Sequence, residues 1–128
     1  MDIAYNVAQY LANNGFGTLG ADIFVGYIPA EETGLYITRL GGTLNNYIPI
    51  EETILDIYAR NTSAADAITQ LEQVKQHLHR MHNTTLTQNH VYSFLVLGDV
   101  EDVQRDENYD KIFKITVQVT HRNTALIS

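Results

Sequence analysis

Ile112-Phe-Lys-Ile-Thr-Val-Gln-Val-Thr120 alternates apolar and polar side chains without a break. Phe113, Ile115, Val117 and Val119 fall on one side, and Lys114, Thr116, Gln118 and Thr120 on the other. A period of two residues is the pattern of a half-buried strand with one wet face. The apolar side of such a strand must be covered by another layer. The nearest upstream stretch of strand character is His90–Leu97. The best candidate for the covering layer lies further back.

Ser63 to about His82 reads as that layer. Ala67, Ile68, Leu71, Val74, Leu78 and Met81 keep helical spacing along one face. Ser63, with Asp66 three residues on, resembles a capping box, although that position more often holds Glu or Gln. Asp66 and Glu72 lie toward the start, and Lys75, His77, His79, Arg80 and His82 toward the end, an order that suits the helix dipole. A second, shorter helix is expected over residues 2–14. There Asp2 serves as N-cap, Ile3, Val7, Tyr10 and Leu11 share a face, and Asn14-Gly15 forms the stop.

Three more strands are expected before the long helix. Asp22–Ile28 is the first, with a turn bracketed by Pro29 and Gly34 after it, and Leu35–Leu40 and Glu52–Arg60 follow. Between the last two lies Gly41-Gly-Thr-Leu-Asn-Asn-Tyr-Ile-Pro-Ile50, which reads as an excursion too long for a tight hairpin. The predicted fold class is therefore α+β: one domain over 1–128, with a mixed or antiparallel sheet of about five strands packed by two helices in the order α-β-β-β-α-β-β. Residues 121–128 read as a flexible tail.

Composition removes several classes of function. The chain has no cysteine, which excludes disulfides, thiolate nucleophiles and thiolate metal sites. No apolar run is long enough to span a bilayer, and the first residues lack the pattern of a secretory signal. Eight scattered Lys and Arg residues and a pI near 5 argue against broad nucleic-acid binding, which needs clustered cations.

The charge is concentrated in one segment, Asp99-Val-Glu-Asp-Val-Gln-Arg-Asp-Glu-Asn-Tyr-Asp110. Six of the fifteen acids fall there, opposed only by Arg105, so it carries −5 of the formal −7. Self-repulsion costs stability and carboxylates cannot be buried unpaired, so this segment is expected to be a solvated loop facing a partner, an ion or an aqueous channel. It lacks the spacing of an EF-hand, although Asp99, Glu101 and Asp102 offer an irregular hard-cation site. His77, His79 and His82 crowd the predicted helix end, but only His79 and His82 have a spacing that shares a face, and no carboxylate completes a set. Solvated imidazoles are the plainer reading, and no metal or cofactor is expected.

Catalytic signatures are missing. Glu31-Glu32 and Glu51-Glu52 are adjacent pairs, which point to opposite faces of a strand. Gly15-Phe-Gly-Thr-Leu-Gly20 has the glycines of a dinucleotide loop, but it follows a helix and precedes a strand, the reverse of that arrangement. It reads as a connector, and no enzyme is expected. The eight tyrosines include sheet-packing candidates at Tyr27, Tyr36, Tyr58 and Tyr92, with Tyr47 and Tyr109 better placed for an interface.

Several stretches together resemble one group of proteins: Ile3-Ala-Tyr-Asn-Val-Ala-Gln-Tyr-Leu, Asn14-Gly-Phe-Gly-Thr, Asp22-Ile-Phe-Val-Gly, Gly41-Gly-Thr-Leu-Asn-Asn-Tyr-Ile-Pro-Ile-Glu-Glu, His79-Arg-Met-His and Val96-Leu-Gly-Asp-Val-Glu-Asp-Val-Gln-Arg-Asp. The group is the small minor capsid proteins of long-tailed bacteriophages and prophages of Gram-positive hosts, which are similar to tail terminators and tail-to-head joining proteins. The resemblance implies a structural virion protein of the tail or neck, assembled in the host cytoplasm. It also implies a ring, commonly a hexamer, between the tail tube protein and the head connector, with genomic DNA passing through unbound. On that reading Asp99, Glu101, Asp102, Asp106, Glu107 and Asp110 face a partner or the lumen. Leu44, Asn45, Asn46, Tyr47, Ile48, Pro49 and Ile50 form an arm between subunits. A neck or head-completion protein is the alternative of the same class, and a small calcium- or ligand-binding module that of another.

Overall fold

In chain order the elements are α1 (Ile3–Asn13), β1 (Ile23–Val25), β2 (Gly34–Leu44), β3 (Ile50–Asn61), α2 (Ala64–His79), β4 (His82–Leu86), β5 (Asn89–Val96), β6 (Glu101–Arg105) and β7 (Lys111–Arg122). They come from a computed structural model that describes residues 3–26, 33–44, 50–61, 63–79, 82–86, 89–105 and 111–122. All the strands join one seven-stranded sheet, in the order β1-β2-β3-β7-β5-β4, with β6 also paired to β7. β1 runs parallel to β2, and every other pairing is antiparallel. The fold class is α+β, as the sequence predicts.

β7 is the spine. It pairs with β3 from Asn61↔Lys111 to Ile50↔Arg122 on one side. Its other edge is shared by β6 near its start and β5 near its end. The alternation read from the sequence becomes the core: Phe113, Ile115, Val117 and Val119 are buried. They sit opposite Ala59, Ile57, Leu55 and Thr53, and Leu35 and Ile37 extend the same layer onto β2.

The helices cover this face. α2 packs on β3, β7 and β5, and α1 on β1 and β2 and, more lightly, on β4. Ala67, Leu71, Val74 and Leu78 are fully buried, whereas Ile68 is partly exposed. The Ser63 cap forms as expected, with the Asp66 amide donating to Ser63 Oγ at 3.3 Å. α1 buries Ile3, Ala4, Val7, Ala8 and Leu11. It ends where the amide of Asn14 bonds the Tyr10 carbonyl at 3.1 Å and that of Phe16 bonds the Leu11 carbonyl at 3.1 Å. Two histidine contacts join neighbouring elements within each layer. His77 Nε2 meets the Tyr10 hydroxyl at 2.9 Å, linking α2 to α1, and buried His121 Nε2 meets Thr53 Oγ1 at 2.8 Å.

Five readings of the sequence are corrected. The long helix stops at His79, and His82 begins β4, so the two histidines do not share a helix face. β4 (His82-Asn-Thr-Thr-Leu86) was not expected, because it is polar and carries no apolar alternation. The segment 99–110 is not one loop: Glu101–Arg105 is β6, with Glu101↔Lys114 and Arg105↔Lys111 in register. The stretch 41–50 is not an excursion from its start. β2 and β3 run on as a long hairpin to Leu44↔Glu51, and a bulge between Arg39 and Gly41, with Gly41 at φ 112°, absorbs the irregularity. β7 likewise continues through His121 and Arg122, two residues into the stretch read as a tail.

Candidate functional site

The acidic segment opens at a bend after β5 and continues along the edge of the sheet. Asp99 Oδ1 accepts the Val100 amide at 2.7 Å and Lys75 Nζ of α2 at 3.3 Å. The Val100 amide first, and Lys75 second, hold the Asp99 carboxyl below the usual aspartate range. Glu101 faces the other way. Its carboxylate lies 4.0 Å from Lys114 Nζ, on the sheet face without helices. Asp102, opposite Phe113, is exposed. The alternation of strand β6 thus separates these carboxylates instead of converging them. Among the described residues no group of three or more His, Cys, Asp or Glu side chains is arranged to hold a metal ion. Asp106, Glu107, Tyr109 and Asp110 lie outside the described residues, as do Asn45, Asn46, Tyr47, Ile48 and Pro49 of the expected arm. Leu44 closes β2 and Ile50 opens β3.

The helix-free face carries a polar cluster that sequence reasoning missed. Asp56 is only 2% exposed there. Thr116 Oγ1 donates to its Oδ1 at 2.6 Å, the Tyr58 hydroxyl donates to Oδ2 at 3.3 Å, and Lys114 Nζ stands 3.6 Å away. The signal was present in the pattern. Asp56, Tyr58 and Arg60 share a side of β3, Lys114 and Thr116 share a side of β7, and the register brings Asp56 opposite Thr116. Tyr36 and Tyr58 are also opposite, with rings stacked at 4.5 Å and 2°. Burial is the main cause that raises both phenol pKa values.

The other candidates have structural partners or lie apart. His77 packs against Tyr10 and Phe16, and His79 is exposed. Glu51 pairs with Arg39 at 2.7 Å; Glu31 and Glu32 lie outside the described residues, as do Tyr27 and Tyr47. Tyr92 meets the His90 ring edge-on at 4.8 Å. The glycine-rich connector folds back so that Thr18 O accepts the amides of Ala21 and Asp22. Beside it Tyr5, Leu19, Gly20, Ile23, Phe24 and Val25 line an open, mainly apolar recess of about 220 Å³. Such a lining has no acid–base pair and no nucleophile–base pair to do chemistry.

What this arrangement offers is surface: one helix-free sheet face, an acidic rim and strand edges. Residues 10–122 match the sequence profile described as "Bacteriophage tail terminator protein". The chain belongs to that family. The match runs from the last turn of α1 to the last residue of β7, so it takes in the whole sheet and α2. Family membership identifies the chain as a structural component of the phage tail. The fold is also shared with a solved chain from a structure described as "Virion of native gene transfer agent (GTA) particle". The two align with a TM-score of 0.57 at 12% identity, over 93% of this chain and 95% of that one. A search of curated protein sequences returned no match.

Proposed function

We propose that this tail terminator family member acts without catalysis, as a closed ring of copies seated on the last ring of the tail tube. One face of the ring meets the tube protein and the other meets the head connector. Six copies is the stoichiometry that the resemblance to joining proteins suggests. The observation that carries this reading is the family match across 10–122. Occupancy is enough for termination. A ring that binds the tube end, but carries no surface repeating that end, leaves no site for the next tube ring.

The acidic rim has a role on this reading. Carboxylates facing the lumen repel phosphates and keep passing DNA from sticking, the converse of the Lys/Arg rule for binding. Asp99, Glu101 and Asp102 are all exposed, so reversing them to lysine leaves the core untouched. The triple variant should fold normally and yet lose infectivity through impaired joining or DNA passage. Full infectivity of that variant would remove the rim from the mechanism.

The test of termination itself is assembly of tails without this protein. Tubes of uncontrolled length in electron micrographs are the expected result. Tails of normal length that fail to join heads would refute termination and transfer the role to neck or head completion.

A further inference from the structure

Asn14-Gly15 is the one place in the chain where glycine follows asparagine. In that dipeptide the asparagine side chain is readily attacked by the next backbone nitrogen, because glycine has no Cβ to hinder the approach. Here the same two residues terminate α1. Gly15 has φ 86°, the left-handed conformation that ends many helices and that glycine adopts without a Cβ penalty. The Phe16 amide bonds the Leu11 carbonyl at 3.1 Å and the Gly15 amide bonds the Ala12 carbonyl at 3.3 Å, the two bonds of a Schellman stop. Asn14 and Gly15 are both exposed. The pair that stops the helix is therefore also a chemically labile one, within reach of water.

The closed turn occupies both reacting groups. Asn14 Nδ2, the leaving group, donates to the Tyr10 carbonyl at 2.7 Å. The Gly15 nitrogen, the nucleophile, directs its proton to Ala12. Both bonds must break before that nitrogen can align on Asn14 Cγ. Helix ends open locally at far lower free energy than the core, and one net hydrogen bond changes the open population by a factor of only about five.

We propose that the end of α1 is a modification site, at which Asn14 deamidates through a cyclic imide with Gly15 when the turn opens, and that the product keeps the turn from reclosing. The Gly15 nitrogen gives its proton to solvent base and forms a bond to Asn14 Cγ. The Cγ–Nδ2 bond breaks, and Nδ2 takes up a proton and leaves as ammonia. Water then opens the imide at either carbonyl, giving aspartate or isoaspartate, with no change of oxidation state. In aspartate a carboxylate oxygen replaces the Nδ2 donor that faced the Tyr10 carbonyl, and its charge lies at the negative end of the helix dipole. In isoaspartate the main chain gains a methylene, which spoils the spacing of the stop. Tyr10 also carries the hydroxyl that meets His77 of α2, so the change reaches the contact between the helices.

Incubating the full chain in mildly alkaline buffer, with peptide mapping for aspartate and isoaspartate, tests the site. Conversion at Asn14 ahead of the other asparagines is expected, with isoaspartate among the products. The urea-unfolded chain should convert at least about fivefold faster. Folded Asn13→Gly, which weakens the last turn and leaves Asn14-Gly15 in place, should fall between the two. Gly15→Ala should slow the reaction in urea, where the fold plays no part. An Asn14 still intact in the folded protein after the unfolded chain has converted would overturn the proposal. Equal rates in the two states would overturn the gating by the turn, and products free of isoaspartate would overturn the imide. Asn14→Asp reports the consequence: its urea midpoint should lie below that of Asn14→Ala, and a midpoint equal to the parent's would overturn the claim that the carboxylate holds the turn open.

Discussion

Replacing Thr116 by valine tests the polar cluster on the helix-free face with little change in shape. The hydroxyl of Thr116 is 2.6 Å from Asp56 Oδ1, and Asp56 is nearly excluded from water. A hydrogen bond to a charged group is worth about 1.5–3 kcal/mol, and removing it also leaves the buried acceptor without that donor. Tyr58 at 3.3 Å and Lys114 at 3.6 Å remain, but both reach Oδ2. Valine suits a strand at least as well as threonine, and that gain is on the order of a few tenths of a kcal/mol. The expected net loss is therefore about 1–2.5 kcal/mol. Urea unfolding followed by circular dichroism should show a lower midpoint with an unchanged slope. Thr116→Ser, which keeps the hydroxyl, should recover most of the loss. In a double-mutant cycle with Asp56→Asn, the two sites should couple by roughly 1 kcal/mol or more. If Thr116→Val is within about 0.5 kcal/mol of the parent, or is no less stable than Thr116→Ser, the hydroxyl–carboxylate bond does not support the sheet.

Gly34→Ala should destabilise the protein by at least about 2 kcal/mol in the same assay: Gly34 has φ 142°, and an added Cβ would run into the Asp22 carbonyl where β1 joins β2. Stability equal to the parent would refute that account of the β1–β2 junction. The raised Tyr36 and Tyr58 pKa values set a pH dependence of definite sign. The folded state holds these protons more tightly than the unfolded chain, so the contribution is complete below the ordinary tyrosine value and is lost as pH rises through the folded values. Absorbance titration near 295 nm should show a late fraction of phenols that shrinks in Tyr58→Phe. Titration of all the tyrosines in the ordinary range would contradict the burial argument.

Much of the fold was legible in the sequence wherever a segment meets the core on one face only. Ile112–Thr120 and Ser63–His79 each carry a clean period because their apolar sides pack against each other's layer. β4 and β6 left no such trace. A strand at the border of a sheet owes its place to backbone pairing, and polar or acidic side chains satisfy that as well as apolar ones. For the same reason the segment read as a single loop contains a strand, although its described carboxylates Asp99, Glu101 and Asp102 are exposed.

By itself the sequence determined the α+β class, the core stripe of β7, the Ser63 cap, the lack of thiol chemistry and the concentration of negative charge. These depend on residue type and local spacing, which a linear text records. Only the tertiary structure decided that Asp99 and Glu101 turn toward different lysines, that Asp56 meets Thr116, and that His121 is buried against Thr53. Each of these is a long-range relation fixed by strand register and sheet order, and no local pattern encodes it.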